Sequence, residues 1–148
     1  MAFVQKILCP IDLGEEENSR VVDYAAMMAK KMDAQLVLVH VIPDFDEYVG
    51  AAPLVVSVSA LMKEILEESE EKIKKILIPL LADRVKVSSI ITSGEIATGV
   101  LTTAVEGQFD LIIMGTQGKS GMEGLLFGSV AQKVVQNSPI PVLTLKPE

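Results

Sequence analysis

Residues 34–42 read AQLVLVHVI, an apolar run with no acidic residue and no break. Its length and β-branched content make it a strand, and apolar residues at successive positions mean that both faces are buried, as in a parallel sheet. That constrains the chain strongly. A strand covered on both sides needs helices above and below it, so the flanking sequence must alternate strand with helix.

It does. An apolar run over residues 3–11 is followed by Asp12, Gly14 and an acidic stretch. Val21, Ala25, Met28 and Met32 then recur at helical spacing on one face. Asn18 or Ser19 can cap that helix, and Glu15 to Glu17 suit its positive end. Residues 43–57 carry two prolines and a glycine without a clean period, and read as a loop, in part a lid. Over 58–81 Leu61, Ile65, Ile73, Ile76 and Leu80 share a helical face, and Pro79 should end or bend that helix. Glu68/Lys72, Glu70/Lys74 and Glu71/Lys75 are paired in the favourable order on its solvated side. RVKVSSII, residues 84–91, alternates as an edge or half-covered strand does. A helix from Glu95 to Glu106 follows on Ile96, Val100, Leu101 and Ala104, then the strand FDLIIM, the helix GSVAQKVVQNS and the short strand IPVLTL. The expectation is one α/β domain over residues 1–148 with a mostly parallel five-stranded sheet.

Composition narrows the function classes. Of 148 residues 49% are apolar and 22% charged, an ordinary globular balance, and the net charge of -7 is spread along the chain. An acidic chain is a poor match for nucleic acid or for anionic membranes, which are met by cationic surfaces. No uncharged apolar run reaches bilayer-spanning length, and the first residues lack the basic flank and long apolar core of a signal peptide, so the cytoplasm is expected. The one cysteine, Cys9, lies in an apolar run and reads as a buried small hydrophobe.

In an open parallel sheet, ligands bind beyond the carboxyl ends of the strands, where the strand order reverses. The first strand ends in Pro10-Ile11-Asp12, and the fourth ends in Met114-Gly115 and a glycine-rich loop, MGTQGKSGMEGLLFGS. Gly118-Lys119-Ser120 resembles the end of a P-loop, but that motif needs glycine at position 113, which is Ile113. Another phosphate geometry is open to the loop. Gly115 leaves the strand, Gly118 suits a tight turn, and Gly128-Ser129 opens the last helix, whose free N–H groups and dipole attract anions. On the residues alone two readings stand. The segment is a phosphate cradle, or its glycines are architectural and Ser129 only caps a helix. Lys119 could reach a phosphate or be solvated, and Gly121 and Gly124 read as flexibility.

The spacing Gly115-x2-Gly118-x9-Gly128-Ser129 resembles the ATP-binding signature of the universal stress protein family. KILCPIDLG is similar to that family's opening strand with its terminal aspartate, LVLVHVI to its second strand, and the segment from FDLIIM to VLTLK to its final third. The resemblance implies a Rossmann-like open sheet of order 3-2-1-4-5, which sets strands one and four side by side. It implies adenine and ribose against Pro10, Ile11, Asp12 and the backbone of Val41, with Met114 nearby. Phosphates would be held by Gly115, Gln117, Gly118, Gly128, Ser129 and Val130, with Mg²⁺ or Mn²⁺ accompanying the triphosphate. It also implies a homodimer through the C-terminal strand, residues 140–146, which fits an edge otherwise open to aggregation. Leu13-Gly14 stand where serine is common, Gly94-Glu95-Ile96 lacks a common proline, and Gln117 replaces a frequent histidine. None of these removes a signature glycine.

Little points to catalysis. His40, the sole histidine, lies within the second strand, and one Cys with one His cannot build a zinc cluster. The first strand's end, PIDLGEEENS, lacks the His-x-Gly-His or Ser-Gly-Gly-x-Asp-Ser elements of nucleotidyl-transferring relatives of the fold. Two functions are carried forward: an ATP-binding protein of stress response or signalling, with at most slow ATP hydrolysis or autophosphorylation, and a nucleotide-independent dimeric adaptor. An enzyme working through the 43–57 loop would lack a visible acid–base pair.

Overall fold

The computed structural model describes residues 3–13, 18–43, 58–116 and 128–146. In chain order these form β1 (Lys6–Pro10), α1 (Asn18–Met32), β2 (Gln35–Ile42), α2 (Val58–Ala82), β3 (Val87–Ser93), α3 (Ile96–Glu106), β4 (Leu111–Gly115), α4 (Ser129–Asn137) and β5 (Val142–Leu145). Every strand pair is parallel, in the order β3-β2-β1-β4-β5, with helices on both faces. This is the sheet that the sequence and its family resemblance predict.

The pleat divides the core in two. Ile7, Cys9, Leu36, Leu38 and Ile113 turn to one face, where they pack with Val22, Ala25 and Ala29 of α1 and Ile73 of α2. Leu8, Val37, Val39, Val41, Ile112 and Met114 turn to the other, against Ala97, Val100 and Ala104 of α3 and Ala131 and Val134 of α4. Alternate residues of β1, β2 and β4 thus feed opposite layers, which is why those strands read as unbroken apolar runs. Cys9 is fully buried, and burial pushes its thiol up to about 12, so it packs as a small hydrophobe.

Several boundaries differ from the sequence expectation, each for a local reason. The face of α1 against the sheet is Val22, Ala25, Ala26 and Ala29, while Met32 is exposed and Val21 and Met28 sit at the margin. Small side chains let the helix approach closely, so the larger residues flank the contact rather than fill it. In α3 the buried stripe is Ala97, Val100 and Ala104, with Ile96 at the surface. Helix α1 begins at Asn18, so Ser19 lies inside its first turn, and Glu15 to Glu17 fall outside the described residues. Helix α2 runs through Pro79 to Ala82. The 44–57 part of the expected loop also lies outside the described residues.

The later starts of β3 and β4 share one cause. Helices α1, α2 and α3 each end on a residue in the left-handed region: Asp33 (φ 53), Arg84 (φ 64) and Gln108 (φ 55). The N–H of the next residue reaches back across the turn, Ala34 to Ala29 O, Val85 to Leu80 O and Phe109 to Ala104 O, at 2.8–3.0 Å. The left-handed residues themselves bond Lys30 O, Leu81 O and Val105 O. These are Schellman caps. Val85 and Phe109 are therefore helix stops with buried side chains rather than strand residues.

Candidate functional site

The reversal of strand order falls between β1 and β4, which pair at Ile7↔Leu111 and Leu8↔Ile112. The carboxyl end of β1 is therefore beside that of β4, and the expected Pro10-Ile11-Asp12 and Met114-Gly115 ends share one side of the sheet. Pro10 closes β1 half-buried, and Ile11 is buried, its N–H donating to Val39 O at 2.9 Å. Asp12 follows, half-buried. Val39 O faces β1 and Ile42 O faces β3, where it accepts from Gly94 N–H at 2.9 Å. By the same alternation the backbone groups of Val41 turn to the β1 side, one rung beyond the Ile11–Val39 bond.

On the other flank Met114 is buried in the core, so its side chain supports the crevice from beneath. Gly115 ends β4 opposite Leu145. Thr116 then holds two backbone bonds: its N–H donates to Leu145 O at 3.0 Å, and its carbonyl accepts from Gly128 N–H at 2.6 Å. The second bond seats the start of α4 directly after β4. Gly128 is the N-cap residue, extended at φ -73 and ψ 167, with no side-chain cap bond and no acidic residue in the first turn. Among the described residues no side chain caps the opening N–H groups of α4, which carry the positive end of the helix dipole. Ser129 is exposed and Val130 half-buried. Gln117 and Gly118 lie outside the described residues, as do Lys119, Gly121 and Gly124.

The N-terminus of α3 stands beside the middle of α4. Lys133 and Glu95 bridge the two at 3.4 Å, an exposed pair that contributes little. At Gly99, α3 presses on Val41, which ties the first turn of α3 to the end of β2.

His40, read in the sequence as a residue within the second strand, also reaches the end of β1. His40 Nδ1 lies 3.3 Å from the carbonyl oxygen of Ile11. Burial lowers its pKa from 6.5, and Lys72 lowers it further, while the Ile11 carbonyl and the Asp12 carboxylate work the other way. His40 therefore braces the strand end that carries Asp12. The signal was available in the parallel register, because Pro10 pairs with Val39 and brings Ile11 alongside His40.

Among the described residues no three of His, Cys, Asp and Glu stand together as metal ligands, and no helix is long and apolar enough to cross a membrane. A family model for the universal stress protein family matches residues 4–146. The chain belongs to the universal stress protein family. Universal stress protein MJ0531 of Methanocaldococcus jannaschii is 33% identical to it over 142 residues, covering 96% of this chain and 82% of that protein. Protein MJ0577 of the same organism, solved in a study that assigned biochemical function from structure, superposes with a TM-score of 0.84. Its identity is 27%, covering 99% of this chain and 98% of that one. A universal stress protein from Archaeoglobus fulgidus, solved in complex with dAMP, superposes with a TM-score of 0.69. It is 19% identical over 96% of this chain and 98% of its own, a likeness of fold.

Proposed function

We propose that this universal stress protein binds an adenine nucleotide, ATP, in the crevice between the carboxyl ends of β1 and β4, and acts in stress response or signalling in the cytoplasm. The observation that carries the reading is the bond from Gly128 N–H to Thr116 O, which brings a helix N-terminus with no side-chain cap among the described residues to the reversal of strand order. The solved relative that holds dAMP supports the choice of adenine.

In this reading Pro10, Ile11, Asp12 and the backbone of Val41 receive the nucleoside over Met114. The phosphates lie on the main chain of Gly115, Gln117, Gly118, Gly128, Ser129 and Val130. With no cluster of metal-ligating side chains among the described residues, Mg²⁺ or Mn²⁺ would be carried by the phosphates and water. Nucleotide occupancy changes what the protein presents to a protein partner. Hydrolysis, where it occurs, is slow. The outer edge of β5 has no strand beside it among the described residues, and Val142 to Leu145 are half-buried, so residues 140–146 would pair with a second copy in a homodimer.

Calorimetric titration of nucleotide-free protein with ATP and Mg²⁺, repeated with AMP and GTP, tests the reading. Micromolar ATP binding that fails for GTP and is lost in Gly118→Val is the expected result. No heat from folded protein would leave the glycines architectural and the chain a nucleotide-independent adaptor.

A further inference from the structure

Thr116 is 3% exposed, and its Oγ1 is a buried side-chain oxygen without a hydrogen-bond partner among the described residues. Its backbone is held on both sides, to Leu145 and to Gly128, which fixes where its Cβ stands. The pleat fixes where that side chain points. Ile112 and Met114 face the α3/α4 layer, and Thr116 continues the same alternation, with its N–H still in the ladder to β5. Its hydroxyl is therefore on the α4 side of the sheet, at the residue that accepts the N–H of that helix's N-cap.

A buried hydroxyl without a partner is unfavourable, and valine would fill the same volume without that cost. Next to it stand the opening N–H groups of α4, which no side chain caps among the described residues. Two independent sets of unused donors converge on one place.

We propose that Thr116 Oγ1 donates a hydrogen bond to a phosphoryl oxygen held at the N-terminus of α4. The hydroxyl supplies one side of an oxyanion cradle, and the N–H groups of Ser129 and Val130 supply the other. The assignment rests on the adenine-nucleotide reading only for the source of the phosphate. A free polyphosphate presents the same oxygens.

The test compares wild type with Thr116→Val, Thr116→Ala and Thr116→Ser, each titrated with ATP, adenosine and inorganic tripolyphosphate. A hydrogen bond to a charged group predicts that T116V and T116A lose roughly ten- to hundredfold in affinity for ATP and tripolyphosphate. Adenosine should bind all variants as it binds wild type, and T116S should stay close to wild type for every ligand. The ligand-free T116V protein should melt no lower than wild type. Unchanged ATP affinity in T116V and T116A overturns the proposal, and so does an equal loss for ATP and adenosine, which marks a packing role. Wild type that binds tripolyphosphate but neither adenosine nor ATP would refute the nucleotide reading while leaving the Thr116 contact standing. Binding of none of the three refutes both.

Discussion

Gly99 of α3 meets Val41 of β2 with no room for a side chain between them: a Cβ at position 99 would lie 2.9 Å from one Val41 methyl and 3.0 Å from the other. The methyls branch directly from Cβ on a central strand, so they cannot rotate clear. Gly99→Ala gains about 1 kcal/mol of helix propensity and loses about 1–3 kcal/mol to overpacking. Net destabilisation is expected in urea unfolding, with a drop in ATP affinity because Val41 borders the crevice. Val41→Ala added to Gly99→Ala should recover part of the loss. Simple addition of the two single effects would show that the contact is not tight.

His40 gives the protein an acid-sensitive element. Its folded pKa lies below 6.5, so as pH falls through 6.5 the unfolded chain takes up the proton first and stability declines until the folded pKa is passed. Above 6.5 the residue is neutral in both states and contributes no slope. Urea midpoints between pH 7.5 and 5 should fall more steeply for wild type than for His40→Gln. Parallel curves would mean that His40 titrates alike folded and unfolded.

Asp110 joins the amino ends of β1 and β4, far along the strands from the crevice. Its Oδ2 accepts from Gln5 N–H at 2.9 Å and Lys6 N–H at 3.0 Å, and its own N–H donates to Lys6 O. Lys6 Nζ in turn donates to Gly107 O at 2.5 Å and lies 4.6 Å from the Phe109 ring centroid. Asp110→Ala removes the acceptor of one exposed and one part-buried backbone donor and should cost about 0.5–1.5 kcal/mol of stability. Nucleotide affinity, measured where the variant is fully folded, should not change.

The left-handed caps offer the opposite case. A side chain at Arg84 or Gln108 costs about 1–2 kcal/mol in that conformation, against about 0.5–1 kcal/mol of chain entropy for glycine. Arg84→Gly and Gln108→Gly should each stabilise the fold by about 0.5–1 kcal/mol in denaturant unfolding. Destabilisation by either would mean that the side chain makes a contact worth more than the relief.

Much of this architecture could be read from residue pattern. The apolar runs of β1, β2 and β4 and the helical periods between them specify the alternation, and the ends of β1 and β4 stand out through Asp12 and Gly115. What pattern hides is set by packing and register. Val85 and Phe109 look like strand residues but anchor helix caps, a choice fixed by the φ of the residue before each. The helical spacing set Ala25 on one face with Met28 and Met32 and did not pick out Ala29, yet a helix lying close on a sheet turns its smallest residues inward. His40 joined the site only through the β1–β2 register, and Thr116 only because its buried hydroxyl has no partner among the described residues.

The three left-handed turns also determine where this chain can lengthen. Each packs a buried residue one position after the turn, so an added residue there would displace Ala34, Val85 or Phe109 from its seat and shift the strand that follows. The connections that leave the carboxyl ends of β1, β2 and β4 lie at the opposite end of the sheet from these three turns. Variation in length is thereby steered to the end of the molecule that holds the crevice. New surface can be grafted there, by evolution or by design, while the opposite end keeps the frame in register.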